Sequence, residues 1–167
     1  MDLFLLRHAI AVEHGAPGYA RDSDRVLTPK GSRKMRRVAG GMLAMELAFD
    51  VILTSPFARA RQTADIVAEV LNAQKIVHQT KALAVGGNPE ALIERINKDY
   101  PAACGILLVG HEPYLSGLIS ILLTGEQGLA LTMKKGGLCK LKVDKLRYSE
   151  CAILEWLLTP AQMALMH

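Results

Sequence analysis

A three-layer α/β/α sandwich with a mostly parallel central sheet is predicted by three features of this sequence. Short, continuously apolar runs alternate with segments of helical periodicity. A small polar residue followed by proline recurs where those segments begin, and the earlier runs lack the polar alternation of a half-exposed sheet. Strands covered by helices on both faces read as unbroken apolar stretches, and their alternation with helices implies parallel crossovers.

The first strand is expected at residues 3–6. Thr28-Pro29 then opens a helix whose apolar positions are Met35, Val38, Met42 and Met45. Threonine caps free backbone N–H groups, and proline at the first helical position sacrifices no internal bond. Residues 51–54 form the second strand, Ser55-Pro56 the second helix start, and Phe57, Ala60, Ala64, Val67 and Leu71 its stripe. A weaker strand is expected at 76–79. Asn88-Pro89 leads a shorter pattern of Leu92, Ile93 and Ile96, with Glu90 in its first turn. The run at 106–109 is a strand, and a fourth helix after His111-Glu112-Pro113 carries Leu115, Leu118, Ile119 and Leu122. Residues 138–143 alternate and 152–158 are mostly apolar, as in a hairpin or edge pair. Thr159-Pro160 repeats the cap signal. Residues 22–25 and 86–88 read as loops. With no repeat, low-complexity segment or linker, one domain over residues 1–167 is expected.

Composition bounds the function. The chain has 167 residues, is half hydrophobic and has a net charge of +4, with a pI near 9.1 and a mean hydropathy of +0.19. It is large enough for a core without disulfides or metals. No apolar stretch is long enough to cross a bilayer and the N-terminus lacks a signal-peptide form, so a cytoplasmic location and no membrane association are expected. Cys104, Cys139 and Cys151 have no metal-ligand spacing and read as buried free thiols. Basic residues crowd two segments: Lys30, Arg33, Lys34, Arg36 and Arg37, then Lys134, Lys135, Lys140, Lys142, Lys145 and Arg147. Such runs are solvated faces or attract an anionic or phosphorylated partner. Few aromatics and no nucleic-acid motif argue against nucleic acid. Met163, Leu165 and Met166 are expected on the surface, packing on the domain or joining two chains.

In open α/β sheets ligands bind beyond the carboxyl ends of the strands. Three expected strands run into polar residues there: Arg7-His8, then Ser55 and Arg59, then His111. A neutral imidazole is a competent nucleophile near neutral pH, and arginine forks hold phosphate oxygens bidentately. A phosphoryl transition state needs charge neutralised on its equatorial oxygens and partners held in line. Two arginines and a second histidine can supply this without metal or cofactor. Other readings of the same residues stay open: a plain strand end for Arg7-His8, a solvated helix for Arg59 and Arg61, and a helix cap or buried core histidine for His111. A two-histidine metal site is a further alternative, although no third ligand stands at familiar spacing.

The segments themselves resemble a family. Leu5-Leu6-Arg7-His8-Ala9 is similar to the signature after the first strand of the histidine phosphatase superfamily, the phosphoglycerate-mutase-like enzymes. Leu27-Thr28-Pro29-Lys30-Gly31, Thr54-Ser55-Pro56-Phe57-Ala58-Arg59-Ala60-Arg61-Gln62-Thr63-Ala64 and Val109-Gly110-His111-Glu112-Pro113 resemble its later motifs, in the family's order, across roughly residues 1–123. The resemblance implies that His8 is transiently phosphorylated, while Arg7, Arg59 and His111 bind the phosphoryl group. The short length and Asp24-Arg25-Val26-Leu27-Thr28 resemble the SixA-type phosphohistidine phosphatases, which implies a phosphate contact from Arg25. Two departures stand out. Ala9 replaces the usual glycine, so a slightly different turn is expected because alanine disfavours positive φ. Residues 83–87 carry no carboxylate where larger members have a proton donor, leaving Glu112 and Glu90 as candidate acids. A P–N bond tolerates that loss better than an ester does. The expected function is therefore hydrolysis of phosphohistidine on a protein, such as a histidine-containing phosphotransfer domain, with an open, shallow pocket. The alternatives are a small-molecule phosphomonoesterase and a non-catalytic phosphate- or phosphoprotein-binding module.

Overall fold

The computed structural model describes residues 1–166; of the expected span 1–167, only His167 lies outside the described residues. Six strands form one sheet: β1 (Asp2–Arg7), β2 (Val51–Thr54), β3 (Val77–Gln79), β4 (Gly105–Gly110), β5 (Leu138–Val143) and β6 (Ala152–Leu158). Their order is β3-β2-β4-β1-β5-β6. The first four are mutually parallel where they pair, and β5 runs against both β1 and β6. The expected three-layer arrangement is therefore present, with the last two strands as an antiparallel pair and β6 at the edge.

Side-chain alternation along the strands builds two cores. Leu3, Leu5, Val51, Leu53, Ile106 and Leu108 pack on one face with α3 (Pro89–Asp99) and α4 (Tyr114–Thr124). Phe4, Leu6, Ile52, Leu107 and Val109 pack on the other with α1 (Pro29–Ala44), α2 (Ala58–Val70) and α5 (Pro160–Ala164). Every residue of β4 is buried, as the unbroken apolar run requires. Glycine lets α1 approach neighbouring backbone closely at two points: a Cβ on Gly31 would collide with the carbonyl of Ile10, and one on Gly41 with that of Met163 in α5. The first contact seats the start of α1 against the chain just beyond β1.

Three of the four polar-proline pairs cap helices. The side chains of Thr28, Asn88 and Thr159 accept bonds from the first-turn amides of α1, α3 and α5. Ser55-Pro56 does not. Helix α2 begins at Ala58, with Phe57 at the cap position and no side-chain cap. The Ser55 hydroxyl instead accepts from Phe57 N at 3.2 Å and meets His111 Nε2 at 2.8 Å.

Further expectations are corrected. Residues 22–24 form a short 3₁₀ turn, not an irregular loop. Cys104 is exposed and Cys151 half-buried, so only Cys139 is a buried thiol. Met163 is fully buried against α1, whereas Leu165 and Met166 are exposed. The turn at Ala9 needs no positive φ, because among the described non-glycine residues only Glu46 and Asn72 adopt one. Among the described residues no helix is long and apolar enough to cross a membrane.

Candidate active site

The sheet order changes direction at the β1–β4 boundary: the chain leaves β1 past β4 toward β2, and later leaves β4 past β1 toward β5. A crevice opens where such connections part. Arg7 ends β1 and His8 follows it, Ser55 follows β2, and His111 follows β4. Backbone bonds extend the ladder beyond the strands, from His8 N to Gly110 O at 3.0 Å and from Ser55 N to Val109 O at 3.0 Å. Residues far apart along the chain are thereby held on one rim.

His8 is 7% exposed. Its Nδ1 lies 2.7 Å from the carbonyl of Ala9, which can only accept, so Nδ1 carries the proton and Nε2 keeps a lone pair. Arg59, on the first turn of α2 and almost wholly buried, donates from Nε to that Nε2 at 3.3 Å. The two imidazole centroids stand 5.1 Å apart. Burial, together with the charges of His111, Arg59 and Arg7, pushes His8 down to about 3, against the bond to Ala9, which raises it. Burial and the Arg59, Arg25 and Arg7 cations push His111 down to about 4, with Asp22 opposing. Both rings are neutral near pH 7, so two uncharged imidazoles sit in a field of guanidinium charge.

The arginines are held in different ways. Arg7 donates from one terminal nitrogen to the Met133 carbonyl at 2.7 Å, while its Nε is buried without a partner among the described residues. Arg59 donates to both the carbonyl and the carboxylate of Asp22, at 2.7 and 2.9 Å. Arg25 reaches the same carboxylate at 2.7 Å and the carbonyl of Val12 at 2.7 Å. Burial would raise the Asp22 carboxyl, but bonds from Arg59 and then Arg25 outweigh it and hold the group below its ordinary value. Asp22 thus clamps two cations at the mouth. In the sequence Asp22 is only part of an expected loop, and nothing there marks its contact with Arg59, 37 positions away.

Buried hydroxyls complete the scaffold. Thr63 accepts from Ala9 N at 3.0 Å and donates to the Arg59 carbonyl at 2.7 Å, joining the His8 turn to the arginine helix. Gln62 accepts from Leu27 N at 2.8 Å and ties the same helix to the segment before α1. His111 Nδ1 is buried without a partner among the described residues.

The candidate acids are placed differently. Glu112 accepts from the amide and hydroxyl of Ser116, at 3.2 and 2.5 Å, and so caps the first turn of α4. Glu90 lies in the first turn of α3. A cleft of about 490 Å³ adjoins His111, lined among others by Gly86, Gly87, Glu112, Tyr114, Gln127 and Tyr148; His8, Arg7 and Arg59 are not on its wall. Among the described residues no three His, Cys, Asp or Glu side chains gather as a metal site.

A family model described as the histidine phosphatase superfamily (branch 1) matches residues 3–84, which take in Arg7, His8, Arg25 and Arg59 and end before His111. An uncharacterized protein of Picosynechococcus sp. is 37% identical over 144 residues, 85% of each chain. The chain belongs to the histidine phosphatase superfamily. It is also similar to phosphohistidine phosphatase SixA of Escherichia coli strain K12, 28% identical over 129 residues, which cover 75% of this chain and 76% of that one. In fold it resembles the solved protein histidine phosphatase SixA complexed with tungstate, with a TM-score of 0.81 at 24% identity over 96% of this chain and 98% of the other.

Proposed function

We propose that the protein is a phosphatase that hydrolyses phosphohistidine on another protein, with His8 as a transiently phosphorylated nucleophile. The observation that carries this reading is the ring state of His8: Nδ1–H is tied to Ala9, and the Nε2 lone pair faces the Arg59 guanidinium. In the first step Nε2 attacks phosphorus and the P–N bond to the substrate imidazole breaks. The leaving nitrogen takes its proton from solvent. Water then attacks phospho-His8, releasing phosphate and returning the neutral ring. Arg59 and Arg7 neutralise the equatorial oxygens, and His111, with an unpartnered Nδ1, is a further hydrogen-bonding group for them. Arg25 acts through Asp22 at the rim, and neither metal nor cofactor takes part.

Phosphohistidine is favoured over an ester because Glu112 already accepts two bonds from Ser116 at the start of α4, which ties up the carboxylate beside His111 that would have to protonate an alkoxide. The cleft beside His111 favours a second reading, a small-molecule phosphomonoesterase with its leaving group lodged there. The deciding experiment compares a histidine-phosphorylated protein with sugar phosphates and nucleotides, in the presence and absence of EDTA. Preference for the phosphoprotein is expected, together with acid-labile, base-stable label on the chain that His8→Ala abolishes, and no effect of EDTA. Faster ester hydrolysis abolished by Glu112→Gln would establish the second reading. Tight phosphate binding with no label would mark a binding module.

A further inference from the structure

Beside the phosphate pocket, three segments bring cations to one surface. Lys34 and Arg37 of α1 and Lys134 from the turn before β5 surround a hollow of about 440 Å³ whose floor is Pro160, Ala161 and Ala164 of α5. Lys30, Arg33 and Lys135, also exposed, lie on the same two segments. Among the described residues none of these six cations joins a salt bridge, whereas Arg36 on the same helix is paired with Glu69. Local structure does not call for them. The first turn of α1 holds Lys30 and no acidic residue, so a positive charge sits at the positive end of the helix dipole, where an anion would be stabilising.

The surface is joined to the pocket by the backbone. Lys134 follows Met133, whose carbonyl accepts from Arg7, and the next residues continue the link: Gly136 N donates to Arg7 O, and Arg7 N to Gly137 O. Gly31, in the first turn of α1, abuts Ile10, two residues beyond His8. The hollow is thereby built on the same backbone that carries Arg7 and His8.

We infer that the surface formed by α1, α5 and the turn before β5 docks an acidic face of the phosphorylated protein substrate. This rests on the phosphohistidine-protein reading. Unpaired cations supply the complementary charge, and the floor of proline and alanines suits the apolar parts of side chains carrying those carboxylates. Among the described residues the hollow has no aromatic wall on which a nucleic-acid base could stack. The large apolar residues of α1, Met35, Val38 and Met42, are turned into the core and are not available to enter a lipid surface.

The test uses a triple variant, Lys34→Glu, Arg37→Glu and Lys134→Glu, with the corresponding glutamine variant and a thermal melt to establish folding. The probes are a small acidic carrier protein phosphorylated on histidine, the same carrier unphosphorylated, and phosphoramidate. Expected is a fall of roughly tenfold or more in kcat/KM on the phosphorylated carrier at low salt, through KM, with phosphoramidate hydrolysis unchanged. Added salt should slow the wild type on the carrier and barely affect the variant. Equal rates of variant and wild type on the carrier, or equal losses on both substrates, would overturn the docking surface and leave the phosphatase reading intact. If the wild type hydrolyses phosphoramidate but not the carrier, the protein-substrate reading fails, and binding of the unphosphorylated carrier decides the surface. Binding lost in the variant supports it; no binding, or equal binding, overturns it. Tighter binding to duplex DNA or anionic vesicles than to the carrier would overturn the choice of partner.

Discussion

Replacing His8 with glutamine is expected to remove about half of the histidine-linked loss of stability on acidification from about pH 7 to about pH 5. Folded His8 sits near 3 and folded His111 near 4, against 6.5 for an unperturbed ring. Between those values the unfolded chain binds protons that the folded one refuses, so stability rises with pH and is lost as pH falls. Over this interval each unfolded histidine gains about 2 kcal/mol from protonation, and any folded value below about 4 leaves the native ring essentially unprotonated. These two histidines together should therefore cost about 4 kcal/mol across the interval, a large share of the roughly 5–15 kcal/mol typical of a domain, while the Asp65 carboxyl, raised by burial, works in the opposite direction. Asp22 loses its contribution in the same direction, but only below its ordinary value of 3.8, outside the window. Urea unfolding in phosphate-free buffer at constant ionic strength measures the slope. Any fixed effect of glutamine on packing is common to both pH values and cancels. A His8→Gln protein with the same acid slope as the wild type would refute the claim that His8 is held neutral by burial among cations.

Two further substitutions probe the supporting groups. Asp22→Asn removes the carboxylate that clamps Arg59 and Arg25, so a stability loss of about 1–3 kcal/mol is expected without ligand, discounted for the third of Asp22 that is exposed. Added phosphate or tungstate should narrow that deficit, because an oxyanion supplies the missing acceptor; melting curves with and without the anion measure this. Ser55→Ala leaves both nitrogens of the buried His111 ring without a protein partner, and about 1–3 kcal/mol of stability should go with the lost bond. Its urea midpoint, set beside hydrolysis of phosphohistidine, tests whether this hydroxyl orients His111; unchanged stability and rate would dismiss the role.

The periodic elements were legible because local physics decides them. Apolar runs covered on both faces become β1, β2 and β4, and Thr28, Asn88 and Thr159 satisfy first-turn amides that lie next to them in sequence. Ser55-Pro56 carried the same local signal and misled, because a competing partner, His111, reaches the hydroxyl from 56 residues away. Met163 read as a surface residue for a similar reason: its burial depends on Gly41 admitting α5 against α1.

At the site, the residue types and their positions after strand ends could be read directly, since strand direction carries them to one edge. The Asp22 clamp on two arginines, the Thr63 link between the His8 turn and α2, and the tautomer of His8 could not. Sequence alone thus determined the succession of strands and helices, the caps of α1, α3 and α5 and the rim on which the polar residues fall, because each depends on near neighbours and on the periodicity of burial. Tertiary structure alone decided which hydrogen-bond partners those residues take and how far burial shifts their protonation. Those quantities depend on distances across the fold and on the solvent removed when distant segments close together.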